Sequence, residues 1–221
     1  VIMSKISNLI DFYNGTNKKI PGNSKKFTGN GIMDYPKTRK KEVSQLTTLS
    51  NSDINLICNT LKIPLKGVFM KDEVGTTRLQ PDDPASKREF KLPLQDGYYI
   101  MNLQDSHENG SHWVAFVKIK SNVYYHDSYA VIMPQNQYDL FKSEQINIYY
   151  NTLQKQSLDT TSCGWWSIYF LYYMHYSKGT LPKRFSNFNK MFEHKTNEHV
   201  DLKMNKNEAL LLKIFKEIYF S

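Results

Sequence analysis

The stretch that decides the fold is SLDTTSCGWWSIYFLYYMHYSKG, residues 157–179, in which Ser162-Cys163-Gly164 opens a long apolar run. Almost no side chain from Trp165 to Met174 is polar, which predicts a helix buried on all sides. A cysteine at the start of such a helix lies beside unpaired backbone N–H groups and the positive end of the helix dipole, and both stabilise a thiolate. Cys163 could also be an inert small apolar residue, since free cysteines are commonly buried. Residues upstream separate these two interpretations.

The composition is typical of a folded globular protein, because 40% of the 221 residues are hydrophobic and 14% are aromatic. A chain of this length can bury a sizeable core, and we expect one main domain. No apolar run approaches the ~18 residues that indicate a membrane-spanning helix. Two cysteines, Cys58 and Cys163, are too few for a disulfide framework and indicate a reducing compartment.

Basic residues outnumber acidic ones and give a formal net charge of +8. Lysines cluster in residues 1–45 among Gly, Asn, Pro and Ser, so we expect a basic N-terminal arm there and a folded domain over residues 46–221. The charge favours a polyanionic partner, with nucleic acid as the first candidate, although a solvated basic face would have the same composition.

Hydrophobic spacing and turn residues predict the elements of the domain. Ser50 and Asp53 form a capping pattern before a helix whose apolar face includes Cys58. The other predicted elements are strands at 67–70, 97–103, 113–120, 123–125 and 146–150, a tight turn at 121–122, a loop at 72–93, a weak helix at 135–145, the buried helix from Cys163 to the terminators Gly179 and Pro182, a polar tail without a clear pattern at 184–201, and a final helix capped by Asn205 and Glu208.

A cysteine hydrolase needs a thiolate, an imidazole that manages its proton, and donors for the developing oxyanion. His112 and Asp127 lie at the two ends of a predicted hairpin, so folding of the hairpin brings them together. Asp127 can then accept a hydrogen bond from one imidazole nitrogen while the other faces a thiol. Gln156 lies seven residues before Cys163, and its amide could join the backbone N–H of Cys163 in an oxyanion hole.

Other polar residues near these positions are weaker candidates. Strand alternation predicts that His126 points away from the site, and the remaining histidines are interpreted as surface or structural residues. Trp113 either lines the cleft or fills the core, and Asn102 and Asp105 are candidates for lining the cleft before His112. The chain has no Cys-x-x-Cys pair and no paired His-Cys spacing, so we expect no metal site.

Three motifs carry a resemblance to a known family. The order His, Asp, Gln, Cys differs from that of papain-like enzymes, and the Gln-Ala-Cys signature of caspases is absent. However, His112-Trp-Val-Ala-Phe116, Tyr125-His-Asp127-Ser-Tyr129, and Gln156 with six residues before Cys163-Gly164 resemble the motifs of the adenain/Ulp1-like cysteine peptidases. This family comprises the maturation proteases of adenoviruses, their counterparts in virophages and other large DNA viruses, and the cellular SUMO-specific proteases.

The resemblance implies an α+β fold, in which a central mixed sheet packs against a buried helix that starts at the catalytic cysteine. It implies that Cys163 is the nucleophile, His112 the general base and acid, Asp127 the residue that orients the imidazole, and Gln156 the oxyanion donor. Candidate substrate-binding residues next to this set are Trp113 and Gly164.

Residues 49–70 also resemble the N-terminal helix and strand of the viral members, so the resemblance covers residues 49–180. Three features depart from the family pattern. Ala130 stands where many members have Gly, Trp165-Trp166 is bulkier than the usual residues after Cys-Gly, and the hairpin between His112 and Asp127 is short.

The expected function is that of a viral maturation endopeptidase, which cleaves capsid or core precursor proteins at Gly-containing sites in the virion and the infected cell. A SUMO- or ubiquitin-like deconjugase is the alternative of the same fold, but cellular deconjugases commonly have Asp where this chain has Ser162. A nucleic-acid-binding protein with a vestigial fold is a further alternative. We expect no required cofactor, although adenovirus-type members respond to DNA and DNA is a candidate activator. Gly29-Asn30-Gly31 loosely resembles a self-cleavage site.

Overall fold

The computed structural model describes residues 46–73, 94–192 and 200–219. The predicted basic arm with its Gly29-Asn30-Gly31 motif, and most of the predicted loop at 72–93, lie outside these ranges. The elements are α1 (Asn51–Thr60), β1 (Leu65–Met70), a 3₁₀ turn (Lys71–Glu73), β2 (Gly97–Asn102), β3 (Trp113–Ile119), β4 (Asn122–His126), α2 (Gln135–Ser143), β5 (Asn147–Tyr150), α3 (Cys163–Tyr176), α4 (Leu181–Met191) and α5 (Val200–Ile218).

The five strands form one sheet in the order β1-β2-β3-β4-β5. The outer pairs β1/β2 and β4/β5 are parallel, whereas the inner pairs β2/β3 and β3/β4 are antiparallel. The described chain is therefore an α+β protein with a mixed sheet, which agrees with the coarse fold class that the resemblance implies.

Helix α1 begins as its capping pattern predicts. The Asp53 backbone N–H donates to the Ser50 hydroxyl at 3.2 Å, and the Ser50 backbone N–H donates to the Asp53 carboxylate at 2.9 Å. This reciprocal capping box satisfies two N–H groups at the helix start. Cys58 lies on the apolar face of the helix and is fully buried, which confirms its interpretation as a core residue.

The β3/β4 hairpin is in the register that places Ala115 opposite His126. Its turn lies at residues 120–121, one position earlier than predicted, and Lys120 takes a positive φ of 52°. The predicted turn was Ser121-Asn122, but Asn122 already pairs with Ile119 as the first residue of β4.

Helix α3 fills the core on one face of the sheet, where all of its residues from Cys163 to Tyr172 are buried. Alternate strand residues divide between two cores, because successive side chains on a strand point to opposite faces. Ala115 and Val117 pack on the α3 side, while Val114 and Phe116 pack on the side of α2. Strand β3 is therefore buried on both faces.

The C-terminal third differs from the sequence prediction. Helix α3 ends at Tyr176, and Pro182 lies in the first turn of a separate helix, α4, where the sequence pattern predicts only a polar tail. Helix α5 begins at Val200, so the predicted cap of Asn205 with Glu208 is wrong. Glu208 instead bonds across to the start of α3, because three donors from that region converge on its carboxylate.

Among the helices of the described ranges, none combines the length and apolar character that crossing a bilayer requires.

Candidate active site

Cys163 is the first residue of α3, and only 5% of its surface is exposed. The residue before it, Ser162, is the N-cap and its side chain makes no capping hydrogen bond. The first backbone N–H groups of α3 are thus near the thiol, where they favour an anion. This environment is the one in which a cysteine acts as a nucleophile.

His112 lies just before β3 and Asp127 just after β4, so the hairpin brings the two side chains together. His112 Nε2 lies 2.9 Å from Asp127 Oδ1, and the carboxylate is completely buried. The Cys163 side chain also interacts with the His112 ring and favours its charged form. Because Nε2 is engaged by Asp127, Nδ1 is the ring nitrogen left for the sulfur.

The electrostatic environment favours the charged form of His112. Burial by itself lowers the pKa of the imidazole, but the hydrogen bond to Asp127, the interaction with Cys163 and the negative charge of both partners act more strongly together. They raise the pKa of His112 from 6.5 to about 9. An imidazolium at neutral pH is suited to pair with a thiolate and to protonate a leaving group.

Asp127 is held in place by its own backbone as well as by its side chain. Asn151 accepts from the Asp127 backbone N–H at 2.9 Å and donates to the Asp127 carbonyl at 2.7 Å. The Tyr129 backbone N–H donates to the Asp127 carboxylate at 2.7 Å. This contact from Tyr129 orients the same oxygen that accepts from His112.

Gln156 is fully buried beside this group. Its Oε1 accepts from the Ser128 hydroxyl at 2.7 Å, while its Nε2 donates to the Thr160 carbonyl at 2.8 Å and to the Tyr129 hydroxyl at 3.1 Å. Both hydrogens of the Gln156 amide are therefore engaged by the protein. The structure places Gln156 in the site but leaves it no free N–H for an oxyanion.

Trp113 and Gly164 pack together beneath the site. Trp113 is 5% exposed, belongs to the α3 core, and donates its indole N–H to the Leu49 carbonyl at 2.9 Å. A Cβ on Gly164 would lie 3.3 Å from the Trp113 ring and 3.2 Å from Leu49. The structure favours core packing over cleft lining for Trp113, with glycine at 164 allowing the close approach.

The departures from the family pattern have structural explanations. Ala130 has a φ of 59°, in the left-handed region that favours glycine, and its N–H closes a turn onto the Asp127 carbonyl at 2.9 Å. Trp165 packs on Phe215 of α5, and Trp166 packs on Phe192 at the end of α4. The bulky pair is thus accommodated by the two C-terminal helices.

The other candidate polar residues lie elsewhere. His126 lies opposite Ala115 on the α3 side of the sheet, where it packs on Phe170 and Phe188 and burial lowers its pKa well below the usual range. Asn102 is buried and accepts from the Ser111 backbone N–H at 3.3 Å, which supports the segment before His112.

The last candidate for lining the cleft, Asp105, forms an ion pair. Asp105 pairs with Lys71 at 3.2 Å. His194 and His199 lie outside the described residues. Within the ranges that the structure describes, no group of three His, Cys, Asp or Glu side chains could hold a metal ion.

Tyr129 and Asn151 support the site, although the sequence pattern predicts no role for either residue. Tyr129 stacks on His112 with ring centroids 4.6 Å apart. The hairpin register could have revealed this contact, because extending it by three positions from Ala115 and His126 places Tyr129 opposite His112. No comparable local signal marks Asn151, because its contact depends on the parallel pairing of β4 with β5, in which Tyr150 lies opposite Tyr125.

A cleft of about 470 Å³ lies between α5 and the loop that leads into Cys163. Its lining residues are Leu46, Thr47, Asp159, Thr160, Thr161, Glu208, Ala209 and Leu212. Thr160 lines the cleft and also contacts the candidate site, because its carbonyl accepts a hydrogen bond from Gln156. The cleft is therefore connected to the loop that leads into Cys163.

No protein-family model matches this chain, and no curated protein matches it.

Proposed function

We propose that this chain is a cysteine endopeptidase of the adenain/Ulp1-like type. The observation that carries the proposal is the convergence of Cys163, His112 and Asp127, which come from a helix start and the two ends of a hairpin. A merely structural cysteine does not need a partly buried imidazole hydrogen-bonded to a buried carboxylate. The mixed sheet packed against a helix that begins at Cys163 also fits this type of peptidase.

The reaction would proceed through a thioester. The Cys163 thiolate attacks the carbonyl carbon of the scissile peptide bond, and the carbonyl oxygen becomes an oxyanion. The backbone N–H of Cys163 would hold that oxyanion together with a second donor that lies near Gln156. The His112 imidazolium protonates the departing amine. His112 then takes a proton from water, which attacks the thioester, releases the carboxylic acid and restores the thiolate.

The proposed substrates are capsid or core precursor proteins, cleaved at Gly-containing sites within the virion or the infected cell. The short side chains of such sites suit a nucleophile that is only 5% exposed. A deconjugase that releases SUMO- or ubiquitin-like proteins remains the alternative function of the same chemistry.

The first test compares the two cysteines of the chain. At pH 7, we expect iodoacetamide to modify Cys163 rapidly and Cys58 not at all, because burial raises the pKa of Cys58 to about 12. Cys163→Ala should abolish peptide hydrolysis, whereas Cys58→Ala should retain it. Equal reactivity of the two thiols, or hydrolysis by Cys163→Ala, would refute the proposal.

A substrate panel decides between the two functions. The purified protein would be incubated with Gly-containing capsid precursor peptides and with SUMO and ubiquitin fusions, and the new N-termini would be sequenced. We expect cleavage of the precursor peptides. Turnover of the fusions alone would assign the chain to the deconjugases.

A further inference from the structure

The proposed chemistry needs a second oxyanion donor. The backbone N–H of Cys163 can supply one hydrogen bond. Gln156, the side-chain candidate, is completely buried, and both of its N–H groups already donate to Thr160 and Tyr129. A substrate oxygen could contact this amide only after two hydrogen bonds within the protein had been rearranged.

Tyr129 contacts both Gln156 and His112. Its ring stacks on the His112 imidazole with an angle of 23° between the planes. Its hydroxyl oxygen accepts from Gln156 Nε2 at 3.1 Å. The acceptor for its own proton is the Thr160 carbonyl at 3.4 Å, which is a long and weak bond. Tyr129 is also partly exposed, unlike Gln156.

Building on the proposed function, we propose that the Tyr129 hydroxyl is the side-chain donor to the oxyanion, and that Gln156 aims this hydroxyl. As the Cys163 sulfur bonds to the carbonyl carbon, the hydroxyl proton turns from Thr160 toward the new oxyanion. The proton remains on Tyr129 throughout, so no net proton transfer is required. The residue is catalytic in the strict sense, because it contacts the reacting oxygen.

The surrounding hydrogen bonds strengthen such a donor. The Ser128 hydroxyl donates to Gln156 Oε1, and Gln156 Nε2 donates in turn to the Tyr129 oxygen. In a chain of this kind each bond polarises the next, so the Tyr129 proton becomes a better donor.

The protonation state is also suitable. Burial raises the pKa of Tyr129, and the negative charges of Cys163 and Asp127 raise it further. The hydroxyl therefore keeps its proton over the range in which a thiolate–imidazolium pair is active.

Two reactions of Cys163 separate this role from a structural one. Alkylation by iodoacetamide displaces iodide from carbon and forms no oxyanion, whereas acylation by an ester does form one. A residue that only supports His112 or the fold affects both reactions, while an oxyanion donor affects acylation alone.

The experiment compares Tyr129→Phe with the wild-type full chain. The phenylalanine ring keeps the stack on His112 and removes only the hydroxyl. Tyr149→Phe is the matched control, since Tyr149 is 43% exposed on β5 and stacks on Tyr124. The measured rates are 4-nitrophenolate release from the 4-nitrophenyl ester of N-acetylglycine and alkylation of Cys163 by iodoacetamide.

We expect Tyr129→Phe to slow acylation roughly 10- to 100-fold and to leave alkylation within about twofold of wild type. Tyr149→Phe should change neither rate. Unchanged acylation in Tyr129→Phe, or an equal loss in both reactions, would overturn the assignment. If wild-type Cys163 reacts no faster than Cys58, the proposed peptidase function itself fails, and this outcome is recognised before any Tyr129 variant is measured.

A double-mutant cycle with Gln156→Leu tests the aiming role. In the wild-type background Gln156→Leu should slow acylation, and in the Tyr129→Phe background it should add little, because both changes remove the same donor. Independent, additive losses would mean that Gln156 contacts the oxyanion itself, and would overturn the proposed division of roles.

Discussion

The proton on His112 is subject to opposing influences. Burial lowers the pKa of the ring, but Asp127 and Cys163 together raise it to about 9. The imidazolium is thus the stable form throughout the neutral range and is lost as the pH rises through about 9. Catalysis that requires His112 to protonate the leaving group should share this upper limit.

This balance predicts how activity depends on pH. We expect kcat/KM for peptide hydrolysis to fall above pH about 9 in the wild type. In Asp127→Asn the carboxylate no longer opposes burial, so the alkaline limb should move to lower pH and the rate at pH 7 should fall roughly 100-fold. Asp139→Asn, at an exposed position on α2, is the control and should keep the wild-type profile. An alkaline limb unmoved in Asp127→Asn would contradict the assigned role of Asp127.

Part of the site follows from local sequence and part does not. The approach of His112 and Asp127 is predictable, because a hairpin joins its own ends. The bonds that Asn151 makes to the Asp127 backbone are not predictable in this way, because they depend on the long-range parallel pairing of β4 with β5, which places Asn151 beside the end of β4. The engaged state of the Gln156 amide depends on the loop between β5 and α3.

At the scale of elements, one carboxylate of α5 forms hydrogen bonds with the start of α3. Glu208 Oε1 accepts from the Ser162 hydroxyl at 2.8 Å, the Thr160 hydroxyl at 3.0 Å and the Trp166 indole at 3.4 Å. These donors belong to the loop before Cys163 and the first turn of α3. The C-terminal helix therefore helps to position Cys163.

Removal of this carboxylate should loosen the loop. We expect Glu208→Ala to lower the free energy of unfolding by about 1–3 kcal/mol, because three donors lose a charged acceptor. Ester acylation at Cys163 should slow as well. Glu144→Ala, at the exposed end of α2, provides the control and should change the free energy of unfolding by less than about 0.5 kcal/mol. Urea unfolding of the three proteins measures the effect, and equal stability of all three would exclude this role for Glu208.

The same carboxylate explains why the start of α5 could not be predicted. Asn205 and Glu208 have the spacing of a helix cap, and local pattern alone favours a helix that begins there. In the structure, the Glu208 carboxylate forms long-range hydrogen bonds to the α3 region instead of a local cap with Asn205. For α4, by contrast, the sequence pattern predicted no helix at all. Phe185, Phe188 and Phe192 have helical spacing, but the polar residues between them obscured it.

At the scale of the whole molecule, the charge is unevenly distributed along the chain. Residues 1–45 contain nine Lys and Arg against three Asp and Glu, a net charge of +6, which leaves only +2 of the total +8 for residues 46–221. A polyanion would therefore be attracted mainly by the first 45 residues. The proposed catalytic chemistry depends on residues in the nearly neutral remainder.

This separation predicts how DNA would act. If DNA activates the proposed peptidase, the rate of peptide hydrolysis should rise with added duplex DNA and fall steeply with salt, because binding releases condensed counterions. Substitution of Lys37, Arg39, Lys40 and Lys41 by Gln in the full chain should reduce the salt slope of DNA binding by about 0.9 for each phosphate that the protein no longer neutralises. Alkylation of Cys163 should be unchanged in this variant.

A second quadruple variant separates location from total charge. Lys142, Lys178, Lys183 and Lys190 are exposed lysines in the described part of the chain, and their replacement by Gln lowers the net charge by the same four units. If the first 45 residues bind DNA, this variant should keep most of the wild-type salt slope, because the basic residues that neutralise phosphates remain. Fluorescence anisotropy of labelled duplex DNA across a salt series measures both slopes. Equal reductions in the two variants would show that DNA responds to net charge alone, and activity that is insensitive to DNA and to salt would remove DNA as an activator.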